Sequence, residues 1–162
     1  MKTSATITGG KELRAKLQKL SAAMRGPILE RAAMDGALIM QREVQQKAPV
    51  DTGAYRSSIQ AEAGKAAATS AEATVGTNAE QSFALEYGSG LHAEKGPREK
   101  YAIEPDEKKA LFWPGAAHPV FRVMHPGIEA QPHFRPGFDK AKDPATKAVA
   151  SAIRRQIDKA IQ

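Results

Sequence analysis

The spacing of apolar residues at the start of the chain predicts two amphipathic helices. In residues 11–24 apolar positions recur every three or four residues, which is the period of one helical face. These positions are Leu13, Leu17, Leu20 and Met24. Gly26-Pro27 ends this helix and begins a second one, because proline is tolerated at the first helical position. The second helix stops at Ala48-Pro49, and its stripe consists of Leu29, Ala33, Gly36, Met40 and Val44. Small residues along it would let another backbone approach closely, from the chain's own sheet or from another subunit.

Between residues 59 and 77 the apolar period falls to two, which predicts a β-hairpin with one small-residue face packed inward. The inward positions are Ile59, Ala61, Ala63, Ala71, Ala73 and Val75. Residues 82–87 form a short apolar element, and Gly88-Ser89-Gly90 closes it as a turn.

A proline-rich stretch follows, with seven of the ten prolines between Pro97 and Pro136. Prolines at this density exclude a long helix or a central strand. Short edge strands remain compatible with the pattern at residues 101–103, 111–113 and 120–123. We interpret residues 91–137 as an extended arm or long loop, and the aromatic residues within it argue against full disorder.

The last segment predicts a C-terminal amphipathic helix. Asp143 is suited to the N-cap and Pro144 to the first helical position. The apolar positions Val149, Ile153, Ile157 and Ile161 then follow at steps of four. The whole pattern indicates an α+β fold with an N-terminal helix pair, a small antiparallel sheet with a long Pro-rich arm, and this final helix. We expect a single domain over residues 1–162, made of a helical part (1–48), a turn and hairpin (49–90), the Pro/Gly-rich arm (91–137) and the C-terminal helix (138–162).

Composition and charge narrow the possible functions. The chain has no cysteine, which excludes disulfides, Cys-ligated metals and thiol catalysis. The formal net charge is +6, and the excess lies at the two helical ends, with +5 over residues 1–60 and +4 over residues 140–162. Such ends are either solvated helix faces or a surface for nucleic acid, so a nucleic-acid-binding module that uses the basic helices is one alternative function. No stretch has the roughly 20 apolar residues of a membrane span, and residues 1–10 lack the apolar run of a secretory signal.

Two patterns resemble catalytic or metal sites. Asp51-Thr52-Gly53-Ala54 is the tetrapeptide of dimeric aspartic proteases, in which two Asp share a proton. Here it follows a predicted helix and not a buried strand, so we interpret Asp51 or Thr52 as the cap of a helical turn running to Ser58. A dimeric aspartic protease remains a weaker alternative. The four histidines, His92, His118, His125 and His133, lack metal-ligand spacing, and we expect no catalytic residue, cofactor or metal.

Three segments together resemble a known protein family. Residues 48–59 (APVDTGAYRSSI) resemble the "AP-x-DTG-x-LR-x-SI" signature of the head–tail joining, or neck and tail-completion, proteins of long-tailed bacteriophages. Residues 83–90 (FALEYGSG) resemble that family's "YA-x-x-x-E-[FY]-G-[ST]-G" segment, and residues 131–138 (QPHFRPGF) its "PQPFLRPA" segment. The chain departs from the family at Tyr55, where Leu is usual, at His133, and in a longer Pro-rich insertion from about residue 96 to 127.

The resemblance implies a structural virion protein without catalytic activity: a subunit of a neck or tail-completion ring that joins the portal side of the head to the tail. It implies further copies of the chain, other neck and tail proteins, and DNA passing through the channel without sequence readout as partners, and it implies no membrane. The implied location is the neck or upper tail of the virion, after assembly in the host cytoplasm.

The resemblance also suggests roles for individual residues. The turn at residues 51–53 would be a hinge in which Gly53 supplies freedom of φ, with Tyr55 and Ile59 packed inward. The segment at residues 134–136 would fix the end of the arm, and Phe112 and Trp113 would anchor the arm on a neighbouring subunit. The candidate structural and interface residues are Pro49, Asp51, Thr52, Gly53, Tyr55, Ile59, Tyr87, Gly88, Gly90, Phe112, Trp113, Pro132, Phe134, Arg135 and Pro136.

Overall fold

The structure, a computed structural model, describes residues 10–23, 26–106, 109–115 and 117–161 and confirms the α+β fold. Met24 of the first predicted stripe and residues 1–9 lie outside the described residues. The elements in chain order are α1 (Gly10–Ala23), α2 (Gly26–Lys47), α3 (Ala54–Ser58), β1 (Gln60–Ala66), β2 (Ala71–Gly76), α4 (Ser82–Tyr87), a 3-10 turn (Gly90–His92), β3 (Tyr101–Ile103), β4 (Val123–His125) and α5 (Phe134–Ile161).

The chain forms two compact units, each assembled from separate stretches of sequence. The first unit contains the described residues up to Gln46, the stretch Ile59–Gly76 and the chain from Gly137 onward, so it holds α1, α2, the β1–β2 hairpin and most of α5. The second unit contains Lys47–Ser58 and Thr77–Pro136, which include α3, α4 and the arm. The single domain stays a prediction.

Small residues hold α2 and α5 together in the first unit. A Cβ added to Gly36 would lie 2.7 Å from Cγ2 of Val149, and one added to Gly137 would lie 2.8 Å from Cα of Val44. Both glycines therefore permit a close approach of the two helices. The neighbour of the small-residue stripe on α2 is thus the chain's own C-terminal helix, which the sequence analysis did not consider. The buried apolar side chains of this unit are Ala32, Ala37, Val44, Ile59, Ala141, Ala145 and Ala152.

The start predicted for the C-terminal helix is wrong. The helix begins at Phe134, and Asp143 and Pro144 lie inside it. An internal proline removes one backbone hydrogen bond and is normally costly. The helix nevertheless continues through this point, where Ala141 and Ala145 are buried. Its true start is capped by a residue distant in sequence, as shown below, so the local signal at Asp143 does not decide it.

The first helix is confirmed, and two leucines of its predicted apolar stripe are exposed. Leu13 is 60% exposed and Leu17 is 55% exposed.

The predicted hairpin is confirmed, with β1 and β2 antiparallel in a register that pairs Gln60 with Gly76 and Ala63 with Ala73. The β2 strand alternates half-buried and exposed residues as expected, whereas β1 is exposed except at Ala61. Two glutamines of α2 fix the start of the hairpin: the side-chain amides of Gln41 and Gln45 donate to the carbonyl of Ile59 over 3.1 and 2.8 Å.

The arm forms an irregular antiparallel hairpin. The strand predicted at residues 101–103 is confirmed as β3, and it pairs with β4. The strand predicted at residues 111–113 is reduced to an isolated bridge between Leu111 and Val120. The strand predicted at residues 120–123 is shifted to Val123–His125. Because Pro114 and Pro119 have no N–H to donate, regular pairing cannot extend across the tip of the arm.

Candidate functional site

The three motif segments of the sequence meet within the second unit at one buried carboxylate, that of Glu86. Tyr55 comes from α3, Glu86 from α4, and His133 and Arg135 from the start of α5. We call these four residues the motif junction. Segments that are far apart in sequence are therefore connected through side chains and not through a sheet.

Glu86 caps the N-terminus of α5. Its side chain is nearly inaccessible, since the residue is only 4% exposed. One carboxylate oxygen accepts the backbone N–H groups of His133 and Phe134 at 2.8 and 2.9 Å, and the other accepts that of Arg135 at 3.1 Å. The first N–H groups of a helix have no helical partner, and they form the positive end of its dipole. Glu86 therefore neutralises the start of a helix that lies almost 50 residues further along the chain.

The guanidinium of Arg135 closes the junction on its exposed side. It donates from Nε to a Glu86 carboxylate oxygen at 3.0 Å, and from Nη2 to the Glu86 carbonyl at 3.1 Å and to Glu94 at 3.0 Å. It also lies 4.9 Å from the centre of the Tyr87 ring, and Nζ of Lys95 lies 4.3 Å from the same centre. Such charge-assisted bonds are the stronger kind in proteins, and the aromatic contact adds to them.

The charges at the junction follow from these contacts. Burial raises the pKa of Glu86, but the hydrogen bonds from the backbone of His133, Phe134 and Arg135 and from the Arg135 side chain outweigh it and hold the pKa below its usual value. The hydrogen bonds to Glu86 and Glu94 raise the pKa of Arg135. Glu86 is therefore an ionised, fully engaged carboxylate at neutral pH.

His133 is completely buried and is held through both ring nitrogens. Nδ1 lies 2.9 Å from the carbonyl of Gln131 and 3.3 Å from a Glu86 oxygen. Because a carbonyl can only accept, we assign a proton to Nδ1. Nε2 then accepts the hydroxyl of Tyr55 at 2.6 Å, and the two rings meet edge to face with centroids 5.3 Å apart.

Tyr55 is suited to donate in this pair. Burial raises the pKa of the Tyr55 phenol above its usual value, the side chain of Ser82 lowers it, and the negative charge of Glu86 raises it, with a net increase. The phenol is therefore neutral at neutral pH and retains its proton for His133.

Two glycines allow the turn after α4 to cross another segment closely. Gly90 and Gly127 have positive φ values of 58° and 96°. A Cβ on Gly90 would collide with the carbonyl of Pro126, and one on Gly127 with the carbonyl of Ser89. The backbone N–H of Ser89 donates to Ile128 at 3.0 Å across this crossing. The crossing therefore excludes side chains at both positions.

The Asp51-Thr52-Gly53 motif precedes a helical turn, as expected. The hydroxyl of Thr52 accepts the N–H of Ala54 at 3.4 Å, and the N–H of Ser57 donates to the carbonyl of Gly53 at 3.0 Å. Gly53 has a φ of 83°. Asp51 and Thr52 are both exposed, and the hydrogen bond to Ala54 identifies Thr52 as the capping residue. This setting differs from the buried strand that precedes the motif in aspartic proteases.

The other candidate residues are dispersed. Ile59 is completely buried, in the first unit, and Tyr55 is half-buried, in the second unit. Phe112, Trp113 and Pro132 are exposed, and Pro49, Phe134 and Pro136 are half-buried. Gly88 has a φ of 72°, and a Cβ there would collide with the carbonyl of His92. The interface roles of these residues stay predictions.

The contacts of Glu86 and Glu94 and the burial of His133 were not predicted from the sequence. One signal was present: Glu86 is the single charged residue in the apolar segment at residues 82–87. A charge in such a segment is rarely buried unless it is paired.

The motif junction is a structural connection by its chemistry. Its carboxylate, imidazole and phenol each bind a group of the same chain, and Glu86 and His133 are buried. Among the described residues, no group of three or more His, Asp or Glu side chains is arranged to hold a metal ion. No helix within the described ranges is long and apolar enough to cross a membrane.

Residues 11–92 match the sequence model of one protein family, described as "Bacteriophage HK97-gp10, putative tail-component". The match includes α1, α2, the hairpin and α4 with Glu86. No curated protein and no solved structure matches the chain.

Proposed function

Because this match covers half of its length, the chain belongs to the HK97-gp10-like family of bacteriophage tail components, and we propose that it is a structural virion protein that joins the head to the tail. In this proposal it is a subunit of a neck or tail-completion ring between the portal side of the head and the tail. Its partners are further copies of itself and other neck and tail proteins.

The observation that carries the proposal is the exposure of large apolar side chains on the arm. Phe112 is 69% exposed, Trp113 45% and Phe121 73%. Met124 and Tyr101 of the same arm are exposed as well. Exposed apolar residues that cluster on one segment are typical of surfaces that bind another protein, and aromatic residues dominate the energy of such contacts. The arm is therefore suited to contact a neighbouring subunit in the ring.

The motif junction supports a role without catalysis. Its polar groups are used to connect α3, α4 and the start of α5, and none is left as a nucleophile or general base. This geometry fixes the end of the arm, because His133 and Arg135 are among its last residues. A ring would then form if each arm contacts a different surface of the next subunit. Such heterologous contacts build a closed ring when the rotations from one subunit to the next add up to a full turn.

The proposal is tested in the phage or prophage that encodes the chain. An amber mutation in the gene should produce filled heads and separate tails in negative-stain electron microscopy. Expression of the wild-type chain in trans should restore joined particles, and the protein should be present in purified virions. Joined, infectious particles without the protein would refute the proposal, and particles with heads but no tails would indicate a role in building the tail tube instead.

The arm is tested with a double variant, Phe112→Ser with Trp113→Ser. Both side chains are exposed, so the variant should unfold at nearly the wild-type urea concentration but should fail to restore joined particles. The matched control is Leu13→Ser with Leu17→Ser, which removes two equally exposed apolar residues outside the arm. If both double variants restore joining, the arm is not the contact.

A further inference from the structure

A groove between α2 and α5 in the first unit brings together arginines from distant parts of the chain. Its volume is about 340 Å³. Arg31 of α2 and Arg155 of α5 line it together with Asp35 and Gln156, and we call these four residues the arginine groove. Its apolar lining consists of Pro27, Ile28, Ala32 and Ala152.

Neither arginine is neutralised by an acid in the part of the chain that the structure describes. The ion pairs there involve Arg122, Arg135, Lys140, Lys142 and His133, and not Arg31 or Arg155. Both arginines are exposed. Two cations held by separate helices around one concave space repel each other, and an anion between them would relieve this repulsion. Guanidinium groups match phosphate or carboxylate oxygens particularly well.

Asp35 is the one acidic side chain of the arginine groove, and it lies beyond ion-pair distance from both arginines. The groove therefore carries a net charge of +1 from its four named side chains. Asp35 also allows a test of the charge of the ligand, because removal of its negative charge should strengthen the binding of an anion.

The charge distribution favours a polyanion over a single acidic side chain. The stretches of the first unit contain 15 basic and nine acidic residues, whereas those of the second unit contain nine of each. The whole net charge of +6 thus belongs to the unit that holds the arginine groove. Exposed basic residues of α1 and α5 extend this charge beyond the groove.

We propose that the arginine groove binds backbone phosphates of double-stranded DNA without reading the base sequence. Arg31 and Arg155 each contact a phosphate, and the apolar lining keeps their side chains in place. The use of the groove in the particle, as a contact for DNA that passes through the ring, rests on the proposed function.

Fluorescence anisotropy with a short labelled duplex of mixed sequence, titrated with the full chain between about 50 and 200 mM salt, tests the proposal. The Arg31→Gln, Arg155→Gln double variant should weaken binding about tenfold or more, and it should reduce the slope of log affinity against log salt by about two, one for each lost phosphate contact. The matched control is Arg42→Gln with Arg154→Gln, which removes the same charge from the same two helices outside the groove. Asp35→Asn should bind more tightly than the wild type.

Three results would overturn the proposal. Equal losses of DNA affinity in the groove variant and in the control would mean that the whole basic unit attracts DNA without a specific site. Absence of DNA binding at the lowest salt would exclude phosphate as the ligand. If the groove variant loses affinity for a polyglutamate peptide but binds DNA as tightly as the wild type, the groove belongs to an acidic protein partner. None of these results would affect the joining of heads and tails, so failure of this proposal is distinguishable from failure of the proposed function.

Discussion

The hydroxyl of Tyr55 lies 2.6 Å from Nε2 of His133, and these are two positions at which the chain departs from the phage signatures that it resembles. Alignment of Gln131-Pro132 and Arg135-Pro136 with the same pairs in "PQPFLRPA" puts His133 opposite Phe, just as Tyr55 stands opposite Leu. The two departures are therefore in direct contact. A hydrogen-bonded pair occupies positions where the signatures carry two apolar residues.

The hydrogen bond between Tyr55 and His133 predicts how variants at these two positions behave. Tyr55→Phe should lower the free energy of unfolding by about 1–2 kcal/mol, because Nε2 of buried His133 loses its donor. The double variant Tyr55→Leu, His133→Phe should cost less than the sum of its single variants, since it removes both polar groups together. Urea unfolding of the wild type, Tyr55→Leu, His133→Phe and the double variant gives the coupling energy. Tyr101→Phe, at an exposed tyrosine, should change stability by less than about 0.5 kcal/mol. Strict additivity would show that the contact has no energetic role.

Glu86 should be the most sensitive polar residue of the second unit. In Glu86→Gln the amide keeps the shape of the side chain but loses its charge and faces the N-terminus of α5 with one acceptor fewer. We expect a loss of about 3 kcal/mol in unfolding free energy, as for other broken buried pairs. Chemical denaturation followed by circular dichroism measures it. Glu94→Gln removes the exposed partner of Arg135 and should cost less than about 1 kcal/mol. Similar losses in both variants would contradict the assignment of Glu86 as the central anchor.

The pH dependence of stability should carry the signature of Glu86. Its pKa in the folded chain lies below the usual value of 4.5, so the unfolded chain binds more protons between the two values and stability rises with pH there. The contribution is complete above about pH 5 and is lost as the pH falls through the lowered pKa. Denaturation from pH 3 to 7 should therefore give a steeper acid loss for the wild type than for Glu86→Gln. Parallel curves would mean that Glu86 is not held ionised by folding.

Gly127 and Gly115 have nearly the same φ angle, so their alanine variants distinguish the cost of a steric collision from that of conformational strain. Gly127 has a φ of 96° and Gly115 a φ of 94°, but only at Gly127 would a Cβ collide with a backbone carbonyl. Gly115→Ala should cost about 1 kcal/mol, the price of a left-handed non-glycine residue. Gly127→Ala should cost clearly more, about 3 kcal/mol, since backbone must move. Thermal unfolding compares the two, and equal effects would argue against the close crossing at Ser89.

Local patterns predicted those elements whose structure is decided locally. The period of α2 and the alternation of the hairpin were sufficient to place both elements. The start of α5 could not be predicted in this way. Its cap is Glu86, 48 residues before Phe134 in the sequence, and the local signal at Asp143 pointed to the wrong turn. No short window of sequence contains both partners of that contact.

The sequence indicated which segments form the candidate site, but it did not indicate the side-chain contacts between them. The resemblance to phage signatures selected Tyr55 and Arg135, and the structure connects both to the motif junction. It included Glu86 in the second segment but gave it no role, because one carboxylate in a sequence does not reveal how many N–H groups surround it. His133 was equally ambiguous, since burial decides whether a histidine is solvated or held, and burial depends on tertiary structure.

The division of each unit among separate stretches sets an order of events during synthesis. The chain passes between the two units four times before α5 is complete. The side chain of Val149, which packs on Gly36, leaves the ribosome more than 100 residues after α2 has been made. A nascent chain therefore exposes the small-residue face of α2 until α5 has been translated, and the surface built from both helices cannot exist before that moment. The arginine groove, which is lined by residues of both helices, therefore forms only after α5 has been translated.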